Sequence, residues 1–359
     1  MRRRDCFASL AMTAVALWLA ACGGPAPPPA SESLALPSDT LVAPWSNLPV
    51  AAWVGDRRWA LVGGDFDAAA IADFGTKTLA PLGGPGQKAY LHPLAVFAVG
   101  DTLYLADWGR RRTTVWTAAG RLLDSIPAAD ALRGAYPRGR DAAGQLYFEV
   151  PPEAGRDGSG NRDSTAIVRA PRSLARFDTV ARLSPIEVAE MRRENSRRFE
   201  KRALSGTDLW GVQPDGTVWI ARVGRNRLVT VDPRGVTTEG PELPDPVFEV
   251  TQADRDRYLQ EFPADVRPNE TDIPFALVFP PFVAAFAGPG PSVWLEKSKP
   301  VLDSVRKIQV LDRAGNLRRV LLLHGQARLL GVDGETLLFA EQFEKGVRLM
   351  EVRIPGPAK

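Results

Sequence analysis

The chain offers few residues for bond-making chemistry. Of 359 residues, two are histidine, His92 and His324, and two are cysteine, Cys6 and Cys22. The histidines are far apart, with no His or Cys neighbour and no HExxH spacing, so the sequence does not indicate a zinc centre built on imidazole. Each reads instead as a turn residue whose ring nitrogens bond to backbone. There is no GxSxG element, which leaves a Ser-His-Asp arrangement without a nucleophile elbow. Asp157-Gly158-Ser159-Gly160-Asn161-Arg162-Asp163 places oxygen donors at alternate positions, as a calcium loop does. Its twelfth position is Val168, where a bidentate Glu is required, so calcium is the one cofactor suggested and a polar hairpin tip is the simpler reading. Gly83-Gly84-Pro85-Gly86 lacks the Lys-Ser/Thr ending of a phosphate loop.

A recurring set of charges is the better candidate. Asp107, Arg222, Lys297 and Glu341 each lie three residues beyond the aromatic or large apolar centre of a short strand, and Glu149 falls one residue short of the same place. If those strands are related by rotation, the charges converge at one end of a central channel. They could then seal it with mutual ion pairs. Alternatively they could line a polar cleft for a small anionic or carbohydrate-like ligand, with Arg222 and Lys297 as the binding charges. A third use, with Asp107, Glu149 and Glu341 as metal-holding or acid-base groups, would make the protein an enzyme. A calcium site needs more oxygen donors than these three supply.

Convergence depends on the strands. Six can be laid over one another: Arg58-Trp59-Ala60-Leu61, Leu103-Tyr104-Leu105-Ala106, Leu146-Tyr147-Phe148-Glu149, Val218-Trp219-Ile220-Ala221, Val293-Trp294-Leu295-Glu296 and Leu337-Leu338-Phe339-Ala340. Their centres at 59, 104, 147, 219, 294 and 338 are separated by 45, 43, 72, 75 and 44 residues. Three of these intervals match the roughly 40–50 residues of a four-stranded propeller blade. A turn with Gly precedes each centre, and a strand containing Ile71, Val115, Ile167, Val229, Ile308 or Leu349 follows it. Three of these continue through a Gly-tipped hairpin into a fourth strand, at 114–126, 229–240 and 308–323. The pattern predicts an all-β, six-bladed β-propeller over 41–356. Two separate β-sandwiches are the alternative for short strands of this kind.

Two helical insertions account for the long intervals. Ser184-Pro185-Ile186-Glu187 resembles an N-cap with Pro at the first helical position and a capping-box Glu, predicting a helix over 185–202. Its Arg192, Arg193, Arg197 and Arg198 would form a surface for an envelope protein partner. Thr251 and Asp254 form a second cap signature, for a helix ending near Pro263. The last repeat has room for about three strands, so Leu41-Val42-Ala43 is expected to supply the fourth and close the ring.

The N-terminus reads as an export signal. Met1-Arg2-Arg3-Arg4 precedes an apolar run to Ala21 that is too short to span a membrane. Leu19-Ala20-Ala21-Cys22 resembles the bacterial lipobox, which implies removal of residues 1–21 and lipidation of Cys22. No thiol would then remain for a disulfide or a metal. Residues 22–40 are rich in Pro, Ala, Gly and Ser and read as a tether. Gly23, where Asp would favour inner-membrane retention in bacterial lipoproteins, implies an outer-membrane address facing the periplasm or the exterior. The 45 Lys+Arg against 42 Asp+Glu give no electrostatic reason to expect nucleic acid as a partner. Gly 32 and Pro 31 favour turns over a helical bundle.

The segment 82–123 carries Gly84-Pro85-Gly86, then Pro93, a strand ending in Asp107, Arg110 to Arg112, and Ala119-Gly120. In this it resembles exported bacterial six-bladed propeller lipoproteins of the NHL and TolB-like kind, as does the stretch from Arg225 to Tyr258. Gln87 replaces the acidic residue usual after Gly-Pro-Gly. The resemblance implies the fold across about 80–350 and a membrane-anchored binding or scaffold module acting through a propeller face or channel mouth. It also implies an alternative, a lactonase-like hydrolase or lyase with a divalent metal in the channel.

Overall fold

A computed structural model describes residues 29–37, 40–63, 68–83, 89–152, 164–193, 196–300 and 303–354. Six antiparallel sheets follow one another around a ring. The first blade comprises Val50–Trp53, Arg58–Val62, Ala69–Asp73 and Thr78–Pro81. The second comprises Pro93–Val99, Thr102–Asp107, Arg112–Thr117 and Leu122–Pro127, and the third Pro137–Arg140, Leu146–Val150, Ala166–Ala170 and Asp178–Arg182. The fourth is built from Leu209–Val212, Val218–Arg222, Arg227–Val231 and Thr237–Glu239. The fifth has Phe282–Ala287, Val293–Lys297, Val305–Leu311 and Leu317–His324. In the sixth, Arg328–Asp333, Thr336–Phe343 and Gly346–Arg353 are completed by Leu41–Ala43, which pairs antiparallel with the third strand. The protein is an all-β, six-bladed propeller.

The second strand of each blade is the most deeply buried because neighbouring sheets cover both of its faces. Trp59, Tyr104, Tyr147, Trp219, Trp294 and Leu338 all sit there, each 3% exposed or less. At about 1.5–3 kcal/mol per buried large side chain, these positions and their neighbours supply the main cohesion between blades. The turn entering each of these strands holds a glycine at positive φ, namely Gly55, Gly100, Gly144, Gly216, Gly290 and Gly334. This repetition fixes the blade register from the backbone side.

The first-to-second and third-to-fourth strand turns lie on one face of the ring. The second-to-third connections and the crossings between blades lie on the other. Leu41 and Ala43 are buried in the core that joins the first and sixth blades. Removing residues 41–43 is expected to lower the melting temperature of the whole domain by more than removing residues 31–34, whose side chains are mostly exposed. Equal losses in thermal unfolding would count against this closure carrying the ring.

Two segments depart from expectation. Residues 188–201 are a β-hairpin, Val188–Arg193 paired with Ser196–Lys201, and not the helix expected over 185–202. The amide of Ser184, which would have begun that helix, instead donates to Asp208 Oδ2 at 2.7 Å. The sequence also lacks an apolar stripe at helical spacing, so strong local helix formers had nothing to pack against. The base of the hairpin is pinned by Arg202 to Glu187 at 3.0 Å and to the Phe275 carbonyl. The second expected insertion is a helix, Gln252–Gln260, with the complete Thr251–Asp254 capping box. In the segment read as a tether, Ser31–Leu34 forms a strand parallel to Leu317–His324 on the outer edge of the fifth blade, held by Glu32 to Arg319 at 2.6 Å.

Candidate functional site: the central channel and its two ends

The first strand of each blade faces the axis, and its sequence determines what the channel can hold. These strands are VAAW, PLAVFAV, PRGR, LWGV, FVAAFA and RLLGVD, rich in Ala, Gly and Val. Small side chains leave a cavity of about 460 Å³ lined by all six blades, including Ala95, Phe97, Val99, Gly139, Val212 and Ala287. Gly211 is required there, because a Cβ would lie 2.4 Å from Cζ2 of Trp219, whose ring fills the space.

The end on the blade-crossing face is polar and aromatic. Arg138, second in its strand, ion-pairs with Glu149, and its guanidinium lies 5.9 Å from the ring centroid of Trp210. The Trp210 indole N–H donates to the same carboxylate at 2.8 Å. Glu149 thus holds a cation and an indole from adjacent blades at the channel edge. At the opposite end Arg140 and Asp333 close their strands and line the cavity with Trp53. Neither the Arg140 nor the Asp333 side chain has a hydrogen-bond or ion-pair partner among the described residues. Asp333 meets channel solvent but is ringed by protein, and this burial raises its pKa above the usual carboxylate range.

The ring of second-strand charges is arranged differently from the sequence expectation. Of its members only Glu149 borders the channel; Asp107, Arg222, Lys297 and Glu341 each bind locally. Asp107 is fully buried and accepts the amides of Leu91 and His92 on Oδ1 at 2.9 and 3.1 Å, with Arg112 Nε 3.7 Å from Oδ2. Arg222 pairs with Asp208 at 2.6 Å. Glu341 pairs with Arg348, directly opposite on the next strand, at 3.0 Å. Lys297, 3% exposed, donates to Asn226 Oδ1 at 3.2 Å and sits 5.2 Å from the Phe282 ring centroid. Desolvation pushes its pKa down to about 8, with Lys307 adding to the fall and Asp245 opposing it. The physical reason is radial: the second strand lies one strand outward from the axis, so its ends face the space between blades and not the channel.

Sequence reasoning passed over Arg138, Arg140, Trp210 and Asp333. A signal was available in Pro137-Arg138-Gly139-Arg140, where charged and small residues alternate with the period of a strand. Among the described residues no three His, Cys, Asp or Glu side chains come together as a metal site. The suggested calcium loop at 157–163, the Gly84-Pro85-Gly86 turn with Gln87, and Leu19, Ala20, Ala21 and Cys22 lie outside the described residues.

No protein-family model matches the chain, and no curated protein matches it. Among solved structures it is similar to a virginiamycin B lyase from Staphylococcus aureus, at 12% identity and TM-score 0.47, over 88% of this chain and 98% of that one. It is also similar to a DUF4221 family member from Bacteroides vulgatus, at 9% identity and TM-score 0.49, over 88% and 94% of the two chains. A gluconolactonase from Xanthomonas campestris shows 16% identity and TM-score 0.44 over 88% of each chain. These are loose likenesses of overall architecture.

Proposed function

We propose that the chain is a lipid-anchored binding module of the cell envelope, acylated at Cys22 and addressed to the outer membrane. In this reading it takes a small anionic or carbohydrate-like ligand into the central channel through the end formed by Arg138, Glu149 and Trp210. The observation that carries the binding role is the pair Arg140 and Asp333, a cation and a carboxyl group whose side chains have no partner among the described residues, in a cavity otherwise lined mostly by apolar and aromatic side chains. Polar groups left open inside a concave, mostly apolar site are what orient a bound small molecule. The lipobox and its apolar leader support the anchor.

The test combines two measurements. Labelled palmitate should enter the wild-type chain in a bacterial host and not the Cys22→Ala variant. Lipid-free protein should be stabilised in thermal melts by members of a panel of small carboxylates and saccharides. That stabilisation should fall about tenfold or more in apparent affinity in Trp210→Ala and Arg140→Ala, the loss of one charge-assisted contact or aromatic wall. Absence of any channel-dependent shift across the panel would sink the binding role.

A further inference from the structure

The seam between the first and sixth blades carries a second cavity, on the face of the first-to-second strand turns and thus opposite the Arg138–Glu149–Trp210 end. It measures about 470 Å³ and is lined by Trp53, Asp56, Arg57, Thr336, Glu351 and Arg353. Its construction departs from the repeat. Among the six equivalent turns, only the first has non-glycine residues in the left-handed region: Asp56 at φ 49° and Arg57 at φ 60°, after Gly55 at 87°. That conformation is strained for residues that carry a Cβ and persists where surrounding contacts hold it. Here the Arg57 carbonyl accepts the Phe74 amide at 3.0 Å, and Arg57 Nε meets Glu351 Oε2 at 2.6 Å. Glu351 has a side chain 6% exposed and also accepts the Trp59 indole N–H at 3.3 Å. Trp59 in turn fixes Trp53 edge-on, with ring centroids 5.0 Å apart, and Gly331 makes room for it, since a Cβ would lie 2.5 Å from Trp59 Cζ3.

The result is a supported aromatic wall beside two guanidinium groups. Glu351 engages Arg57 through Nε, so the terminal nitrogens of this cavity-lining side chain are not used in that contact, and Arg353 has no ion-pair partner among the described residues. The acidic residues present are Glu351, which Arg57 neutralises, and Asp56, 3.5 Å from Arg58 on the rim. An indole face receives the C–H edges of a pyranose, and guanidinium forks match the geometry of a carboxylate. We propose that this cleft is a second binding site, specific for a uronic acid, with the sugar ring against Trp53 and its carboxylate between Arg57 and Arg353. The site shares Trp53 with the channel cavity but lies away from the Arg138–Glu149–Trp210 end.

The experiment is titration of D-glucuronate into the lipid-free full chain, followed by tryptophan fluorescence and calorimetry, with D-glucose as the neutral control. Expected are saturable binding of glucuronate and none of glucose. Affinity should drop about tenfold or more in Arg353→Ala, which breaks no ion pair, and in Arg57→Lys, which keeps the charge but loses the planar fork. Binding should persist in Trp210→Ala, which alters the other end of the channel. No saturable glucuronate signal, equal binding of glucose, or full affinity in Arg353→Ala would each overturn the proposal. Loss in Trp210→Ala with retention in Arg353→Ala would assign the sugar to the channel instead.

Discussion

Glu296→Ala is expected to destabilise the domain by about 3–5 kcal/mol, the scale of breaking a buried ion pair by removing one partner. Glu296 is fully buried at the end of the second strand of the fifth blade. One carboxylate oxygen accepts Arg306 Nη1 at 2.9 Å and Arg328 Nε at 2.7 Å, and the other accepts the Leu329 amide at 3.1 Å. Arg328 and Leu329 begin the first strand of the sixth blade, so this carboxylate fastens two blades. Without it, Arg306 would be left with a buried positive charge whose pKa burial already depresses. Glu296→Gln should recover part of the loss, because an amide oxygen can still serve Leu329. Chemical denaturation measures both variants, and a loss under about 1 kcal/mol in the alanine variant would show that the contact is not structural.

The neighbouring residue has the opposite sign. Lys297→Met should stabilise the protein at pH 7 by about 2 kcal/mol, and the gain should disappear near pH 10. The amine's pKa falls from an ordinary 10.5 to about 8 in the fold. That shift corresponds to about 3 kcal/mol of penalty on the charged form, from which about 1 kcal/mol is deducted for leaving Asn226 Oδ1 without its donor. Below pH 8 the folded and unfolded chains both carry the proton, and the penalty is complete. Between pH 8 and 10.5 the unfolded state holds more protons than the folded one, so wild-type stability rises with pH and overtakes the variant. Denaturation of both proteins at pH 7 and pH 10 is the measurement. A pH-independent difference would mean that Lys297 keeps an ordinary pKa and carries its proton in both states across this range, or that packing alone sets the effect.

The blade count and register were legible because second strands are buried on both faces, which forces Trp59, Tyr104, Tyr147, Trp219 and Trp294 into a recurring place. The closing strand was legible from a deficit, since the last repeat lacked one strand. The 188–201 hairpin was not legible. Its Glu, Arg, Met and Ala residues favour a helix locally, and what decided otherwise, Asp208 holding Ser184 and Arg202 reaching Phe275, lies distant in sequence. The channel residues were hidden for a different reason. First strands such as PRGR and RLLGVD mix charged, small and apolar residues because they face a cavity and not a core, so they show no single recurring centre. Charges at the ends of second strands drew attention by their type, although Arg222 and Glu341 are occupied by Asp208 and Arg348.

The parallel strand at Ser31–Leu34 sets a leash. Its register places Ser31 against Val320 and Leu34 against Leu323, so the chain climbs the outside of the fifth blade starting from the side on which Gly315 turns between strands. Eight residues separate Cys22 from Ser31. Fully stretched, that length reaches about 30 Å. With Cys22 acylated as proposed, the fifth blade would hang within that radius of the bilayer, with the side bearing Trp53, Arg57 and Arg353 nearer the lipid. The Arg138–Glu149–Trp210 opening would then look outward, toward whatever diffuses past the membrane surface. Lengthening the leash by inserting residues before Ser31 would free the propeller to turn over without altering its fold.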